Sequence, residues 1–386
     1  MYEPFKIRKH LTQLRHSSMT PSKFSRSFLG TPRNKSTVLK SSLAPKSIFH
    51  HRLPSLNSSK NTSFVASKRE KLRKPKPPST ETDSSTHCYG YCKSFGYYST
   101  PGLIRSYNED KVSIVQEVPK PSDQKGKWPK CSYFAVFDGH GGESCSEYLK
   151  NHLHNFIFAS KYFPQNPREA LLKGFEAAEE AFLNAAFEKS DNSGSCAIVV
   201  LIVENFCYIA NTGDSRAIMS FENGKRVCGL TRDHKPDDER ERQRIVDAGG
   251  KVYRTQLNPS LGLGEITGPS RIFPGRISVS RSFGDLQAKD YSVGGNPNVL
   301  IATPEISSFK ILKCHDFIVM GSDGLYDKVS NEEIASTALH KLNKKGFEIH
   351  KLTVETADKL VKLALDSRSQ DNVTCLVIVL PGFSSK

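Results

Sequence analysis

The chain has 386 residues, enough for one large domain or two ordinary ones, and 37% of them are hydrophobic, so a core of ample size is available. The formal charge of +15 is unevenly spread: residues 1–90 hold 18 Lys and Arg against 4 acids, which places nearly all of the surplus there. No apolar run approaches the roughly 18 to 20 residues that span a bilayer, N-myristoylation is not expected with Tyr in second position, and of the nine scattered cysteines only Cys88 and Cys92 stand close, with no second pair at zinc-site spacing.

Residues 1–92 read as a disordered basic extension, because Ser, Thr, Lys and Pro dominate and the short apolar clusters keep neither helical nor strand spacing. A solvated, phosphorylatable leader is the plainer reading, and a docking arm for acidic partners the sharper one. The run "KREKLRKPKPP" has the composition of a nuclear import signal. The cysteines are expected to be reduced thiols of an intracellular protein of the cytoplasm or nucleus.

Residues 93–386 are expected to fold. Strands are expected at 110–118 and 131–137, then a helix carrying Cys145, Leu149, Leu153 and Ile157 on one face. A second helix starts with Asn166 as cap and Pro167 in the first helical position. Three consecutive strands follow at 195–203, 206–211 and 216–221, read as antiparallel because hairpin-sized connections flank them. A charged helix at 237–248 leads into an irregular Gly-, Pro- and Ser-rich stretch, 255–274. A strand ending in "GSD", helices after Ser330 and from about Thr353, and a last strand at 373–380 complete the series. Strand runs interrupted by helix pairs imply an α+β layered fold with antiparallel sheets.

Aspartates recur where apolar strands end, most of them beside glycine: Asp138, Asp214, Asp285, Asp323, Asp327 and Asp371. Singly, each is an ordinary turn residue. Gathered in one cleft they would repel unless cations neutralised them, and an all-oxygen site suits Mg²⁺ or Mn²⁺ rather than zinc or copper. Two such ions can activate a water toward phosphorus. That chemistry also needs a guanidinium for the phosphoryl oxygens and an acid for the leaving alkoxide; Arg105 and His140 stand beside the acids in "RSYNED" and "DGHGG".

Read in order, "RSYNED", "FAVFDGHGG", "SGSCAIVV", "ANTGDSRAIM", "LTRDHKP", "GRISVSRSFGD", "GSDGLYD" and "SQDNVT" resemble the successive motifs of the metal-dependent type 2C serine/threonine protein phosphatases. The resemblance covers about residues 95–380. It implies a central sandwich of two antiparallel β-sheets flanked by α-helices on both sides, and hydrolysis of phosphoserine and phosphothreonine in proteins by water bridging two Mg²⁺ or Mn²⁺ ions, without a phosphoenzyme. By matched position, Asp138 would bridge both metals and Gly139 would lend its carbonyl. Glu109, with an indirect contribution from Asp110, would serve one metal, and Asp323 with Asp371 the other. Asp214 would join Asp323 at a weaker third site, Arg105 would bind phosphate, and His140 would be the general acid.

The departures from the family pattern are Cys196 for Thr, Tyr326 for Trp and Ser278 for Ala, none at a ligand position. Phosphoproteins are the expected partners, nucleic acid is not expected, and a monomer is. The competing classes are an inactive phosphoprotein-binding scaffold and a nucleic-acid binder driven by the basic extension.

Overall fold

A computed structural model describes residues 80–122, 126–257 and 266–384. The basic run at 68–78, and nearly all of the expected N-terminal extension, lie outside the described residues.

Two antiparallel sheets dominate. The six-stranded sheet runs in the order Glu81–Ser84, Ser94–Thr100, Val373–Val379, His315–Gly321, Arg216–Phe221, Arg226–Gly229. The five-stranded sheet runs Glu305–Lys310, Phe206–Thr212, Ala197–Val203, Cys131–Phe137, Lys111–Val115. Side chains alternate between the faces of a strand, and here both faces are covered. Phe134 and Val136 point into a core shared with Ile318, Met320, Leu376 and Ile378 of the other sheet. Tyr133, Ala135 and Phe137 pack instead against the helices Ser144–Phe158 and Pro167–Lys189. On the far side Phe317, Val319, Cys375 and Val377 meet the helices Asn331–Leu342 and Ile349–Asp366. The result is the expected α+β sandwich with helices outside each sheet, and double burial explains why its central strands are continuously apolar instead of alternating.

The capped helices start where their sequence signals lie. Asn166 accepts from the Glu169 N–H ahead of Pro167, Asp238 caps Glu239–Asp247, and Ser330 accepts from the Glu333 N–H. All nine cysteines are free thiols and six are buried, and among the described residues no helix is long and apolar enough to cross a membrane.

Three expectations need correcting. The strands Ala197–Val203 and Phe206–Thr212 form a hairpin, but Arg216–Phe221 crosses to the other sheet and pairs with Arg226–Gly229 and His315–Gly321. The residues between them, Gly213 to Ser215, therefore span the two layers. The stretch from Thr255 is not wholly irregular: Lys251–Leu257 pairs with Ile266–Phe273 as a two-stranded ribbon whose register slips between Arg254 and Gln256. That slip falls opposite Gly268 and Pro269. Proline cannot donate to a ladder, so its presence hides a strand in the sequence and forces a bulge in the structure. Finally, Glu81–Ser84, on the polar side of the composition change, is an edge strand paired with Ser94–Thr100.

Candidate active site

Register brings the acidic motifs to one end of the sandwich. Lys111 pairs with Phe137 and Ala197 with Thr212, so Glu109, Asp138 and Asp214 emerge together from the five-stranded sheet. Gly321 pairs with both Cys375 and Arg216, which brings Asp323 and Asp371 to the corresponding end of the other. They meet in a cleft of about 270 Å³ lined by Arg105, Glu109, Asp138, Gly139, His140, Asp214, Asp323 and Asp371. Of the residues to which the resemblance gives a role, all are there except Asp110; Asp285 and Asp327 also lie outside the lining.

Asp110 lies behind the cleft wall. It accepts hydrogen bonds at 2.7 Å from Ser322 Oγ and Thr374 Oγ1, while its other carboxylate oxygen is buried without a partner. Burial, only partly offset by these bonds, pushes its pKa up to about 6.

Three carboxylates, those of Asp138, Asp214 and Asp323, place oxygens within 4.8 Å of one another. Burial first, and then the charges of neighbouring carboxylates, raises Asp138 and Asp323 well above the ordinary range. Burial raises Asp214 as well, against the pull of Lys235, whose Nζ lies 3.6 Å from Asp214 and 3.3 Å from Asp327. The "DHKP" motif thus contributes its lysine to the site's edge, a contact that sequence spacing alone does not reveal. Cys196 Sγ donates to Asp214 Oδ1 at 3.3 Å, and burial drives its thiol far upward, so it is a neutral donor and not a thiolate ligand. What remains is a converging set of oxygen donors with unmet negative charge. It fits hard divalent cations.

Arg105 donates to Asp371 Oδ2 at 2.9 Å and not to Glu109, the partner its spacing in the sequence suggests; both members of the pair are about half exposed. Glu109 accepts from the Gly142 N–H at 2.7 Å. Gly142 has φ of +125°, a backbone that side chains resist, and this turn folds the glycines back over Glu109.

His140 is held by a residue whose role the sequence did not assign. Its Nε2 donates to Asp285, 3.0 Å from each carboxylate oxygen, and Asp285 also accepts from Ser282 Oγ at 2.5 Å. A small sheet of Gly139–His140, Gly194–Ser195 and Phe283–Gly284 brings the two together. A Cβ at Gly194 would overlap both Asp285 Oδ2 and His140 Nε2, so the pair forms because residue 194 has no side chain. Burial lowers the His140 pKa, but the charge and hydrogen bond of Asp285, reinforced by Asp214 and Glu109, outweigh it and the net shift is upward. Arg281, in the "GRISVSRSFGD" motif, is not in the cleft lining: it forks onto Glu241 and donates to the Thr303 carbonyl. Arg271 and Arg276, to which the sequence assigned no role, also line the cleft.

The sequence model of the family described as protein phosphatase 2C matches residues 105–373. The chain belongs to the protein phosphatase 2C family. It is 32% identical over 285 residues to probable protein phosphatase 2C 59 of Arabidopsis thaliana, covering 74% of this chain and 79% of that one. It is also 32% identical over 257 residues to probable protein phosphatase 1N of Mus musculus, covering 65% and 57%. Its fold matches the crystal structure of a serine-threonine phosphatase 2C from Toxoplasma gondii with a TM-score of 0.60 at 20% identity, over 78% of this chain and 99% of that one. As a member of this phosphatase 2C family the chain is a metal-dependent protein phosphatase, a hydrolase acting on phosphoproteins.

Proposed function

We propose that this phosphatase removes phosphate from serine and threonine side chains in one displacement at phosphorus, served by two Mg²⁺ or Mn²⁺ ions and a weaker third. The observation that carries the reading is the convergence of Glu109, Asp138, Asp323 and Asp371 with Arg105 and His140 on one cleft. Asp138 and the Gly139 carbonyl, with Glu109, would hold one ion; Asp138, Asp323 and Asp371 the other. Asp214 with Asp323 would hold the third, and Asp110 would steady this set from behind through Ser322. Bound there, the cations would supply an activated water and neutralise the charge that otherwise raises these carboxylates.

The chain's own groups do the rest. Arg105, at the exposed lip, is free to exchange Asp371 for the planar face of a phosphoryl group, which suits a guanidinium fork. His140, whose proton affinity Asp285 raises, presents Nδ1 to the leaving oxygen because Nε2 is committed. No cysteine is placed to act as nucleophile: Cys196, the one in the cleft, is buried and neutral.

A phosphothreonine peptide incubated with Mn²⁺ or Mg²⁺ tests this. Turnover is expected, and a chelator or Asp138→Asn should abolish it; no turnover with metal present would favour a phosphoprotein-binding scaffold, and a trapped phosphoenzyme would overturn the single displacement. Imaging the protein with and without residues 1–90 tests the reading of the basic extension as an address to the cytoplasm or nucleus.

A further inference from the structure

The ribbon of Lys251–Leu257 and Ile266–Phe273 has two unlike faces. Val252 and Ile272 are cross-strand partners and pack on Ile245, Val299 and Leu300. On the opposite face Lys251 pairs across with Phe273, and Tyr253 with Arg271. These four, with Thr255 and Arg276, line an open groove of about 620 Å³. Arg271 and Arg276 line the catalytic cleft as well, so groove and cleft adjoin at these two residues.

The charges on this face are unspent. Among the described residues Lys251, Arg271 and Arg276 form no ion pair, whereas Arg254, turned the other way, pairs with Asp237 at 3.2 Å. Arg271 is fixed by donating to the Arg276 carbonyl at 2.7 Å. Arg276 itself has φ of +59°, a conformation that glycine adopts at lower cost, yet a guanidinium stands there, at the junction of groove and cleft. Phe273 is half exposed beside Lys251 and offers apolar area to a chain lying along the ribbon.

We infer that the outward face of this ribbon is a substrate track that selects phosphopeptides whose phosphoresidue is flanked by Asp or Glu. It rests on the reading of the cleft as the phosphatase site. Two features argue for acidic side chains as the occupant: three cations that form no ion pair among the described residues line the groove, and two of them also line the cleft where the phosphate must sit. Arg276 and Arg271 would meet the carboxylates nearest the phosphoresidue, and Lys251 the more distant ones.

The test compares kcat/KM for three phosphothreonine peptides of equal length, flanked by Glu, Ala or Lys, in wild type, Lys251→Glu and Arg276→Gln. Wild type should prefer the Glu peptide over the Lys peptide by about tenfold, since each exposed pairing is worth a few tenths to 1 kcal/mol. That preference should shrink as salt rises from 50 to 500 mM. Lys251→Glu should cut the Glu-to-Lys ratio about threefold or more, and Arg276→Gln should cut it similarly. Taking the ratio within each variant removes any general loss of activity. Equal kcat/KM for all three peptides in wild type, or a ratio unmoved in both variants, would overturn the track while leaving the phosphatase reading intact. Turnover of none of the peptides with Mn²⁺ present would instead bring down the reading on which it rests.

Discussion

At the scale of residues, Asp285 decides how His140 can act. A carboxylate equidistant from Nε2 through both oxygens holds the ring in one orientation and keeps the proton on it. If His140 protonates the leaving oxygen, loss of that carboxylate matters in proportion to how badly the leaving group needs a proton. Asp285→Asn is therefore expected to slow a phosphothreonine peptide by about 10- to 100-fold and 4-nitrophenyl phosphate by less than about threefold. His140→Gln should show the same split; equal losses on both substrates would mean that Asp285 serves the fold alone. Gly194→Ala, which inserts a methyl between the two side chains, should reproduce part of the effect. Asp138, Asp214 and Asp323 were legible as aspartates beside glycine, since such short motifs carry their own turn chemistry. The Asp285 contact was not, because His140 and Asp285 lie 145 positions apart and only the strand pairing at Gly194–Ser195 joins them. Asp110, assigned only an indirect part from the sequence, turns away from its neighbour Glu109: Glu109 enters the cleft and Asp110 meets Ser322 and Thr374 behind it.

At the scale of elements, the short helix Glu239–Asp247 is fastened to the motif segment "VSRS" through one carboxylate. Glu241 is almost fully buried and accepts from Arg281, Arg244 and Ser280. Burial would raise its pKa, but the hydrogen bonds and charges of Arg281, Ser280 and Arg244 overcome this and hold it at about 2. A folded-state pKa below the unfolded one gives stability that is complete above the unfolded value and lost as pH falls. From an unfolded value of 4.5 to about 2, the contribution at neutral pH is of the order of 3 kcal/mol. Wild type should thus lose stability between pH 4.5 and 2 more steeply than Glu241→Gln, which starts less stable at pH 7; parallel pH profiles in urea unfolding would contradict this. The helices were readable because caps and stripes are local signals. The ribbon that this helix supports was half hidden, since Gly268 and Pro269 break the alternation on which strand reading depends. The crossing of Arg216–Phe221 to the second sheet was hidden too, because three intervening residues allow either a turn within a layer or a step between layers.

At the scale of the whole molecule, the sandwich carries a cost concentrated at one end. Buried, mutually repelling carboxylates raise the pKa values of Asp138 and Asp323, and a raised carboxylate binds more protons folded than unfolded. The metal-free protein therefore loses stability from this source as pH rises above the ordinary carboxylate value. His234 works against it: burial, with Arg281 nearby, lowers its pKa to about 4, so its contribution grows with pH until about 6.5. The two are separable because only the acidic cluster responds to cations. The difference in unfolding free energy between Mg²⁺- and EDTA-treated protein should be small at pH 5 and grow toward pH 7.5. Each ion held at one hundred times its Kd should add about 2.7 kcal/mol. Asp138→Asn removes one repelling charge, so in EDTA at pH 7.5 it should be more stable than wild type by about 1–2 kcal/mol while losing most of the Mg²⁺ increment. A variant that is destabilised in EDTA, with the Mg²⁺ increment intact, would mean that Asp138 is held by its packing and that the cations sit elsewhere. Stability given up at Asp138 in the empty cleft is, on this account, what makes the cleft bind metal.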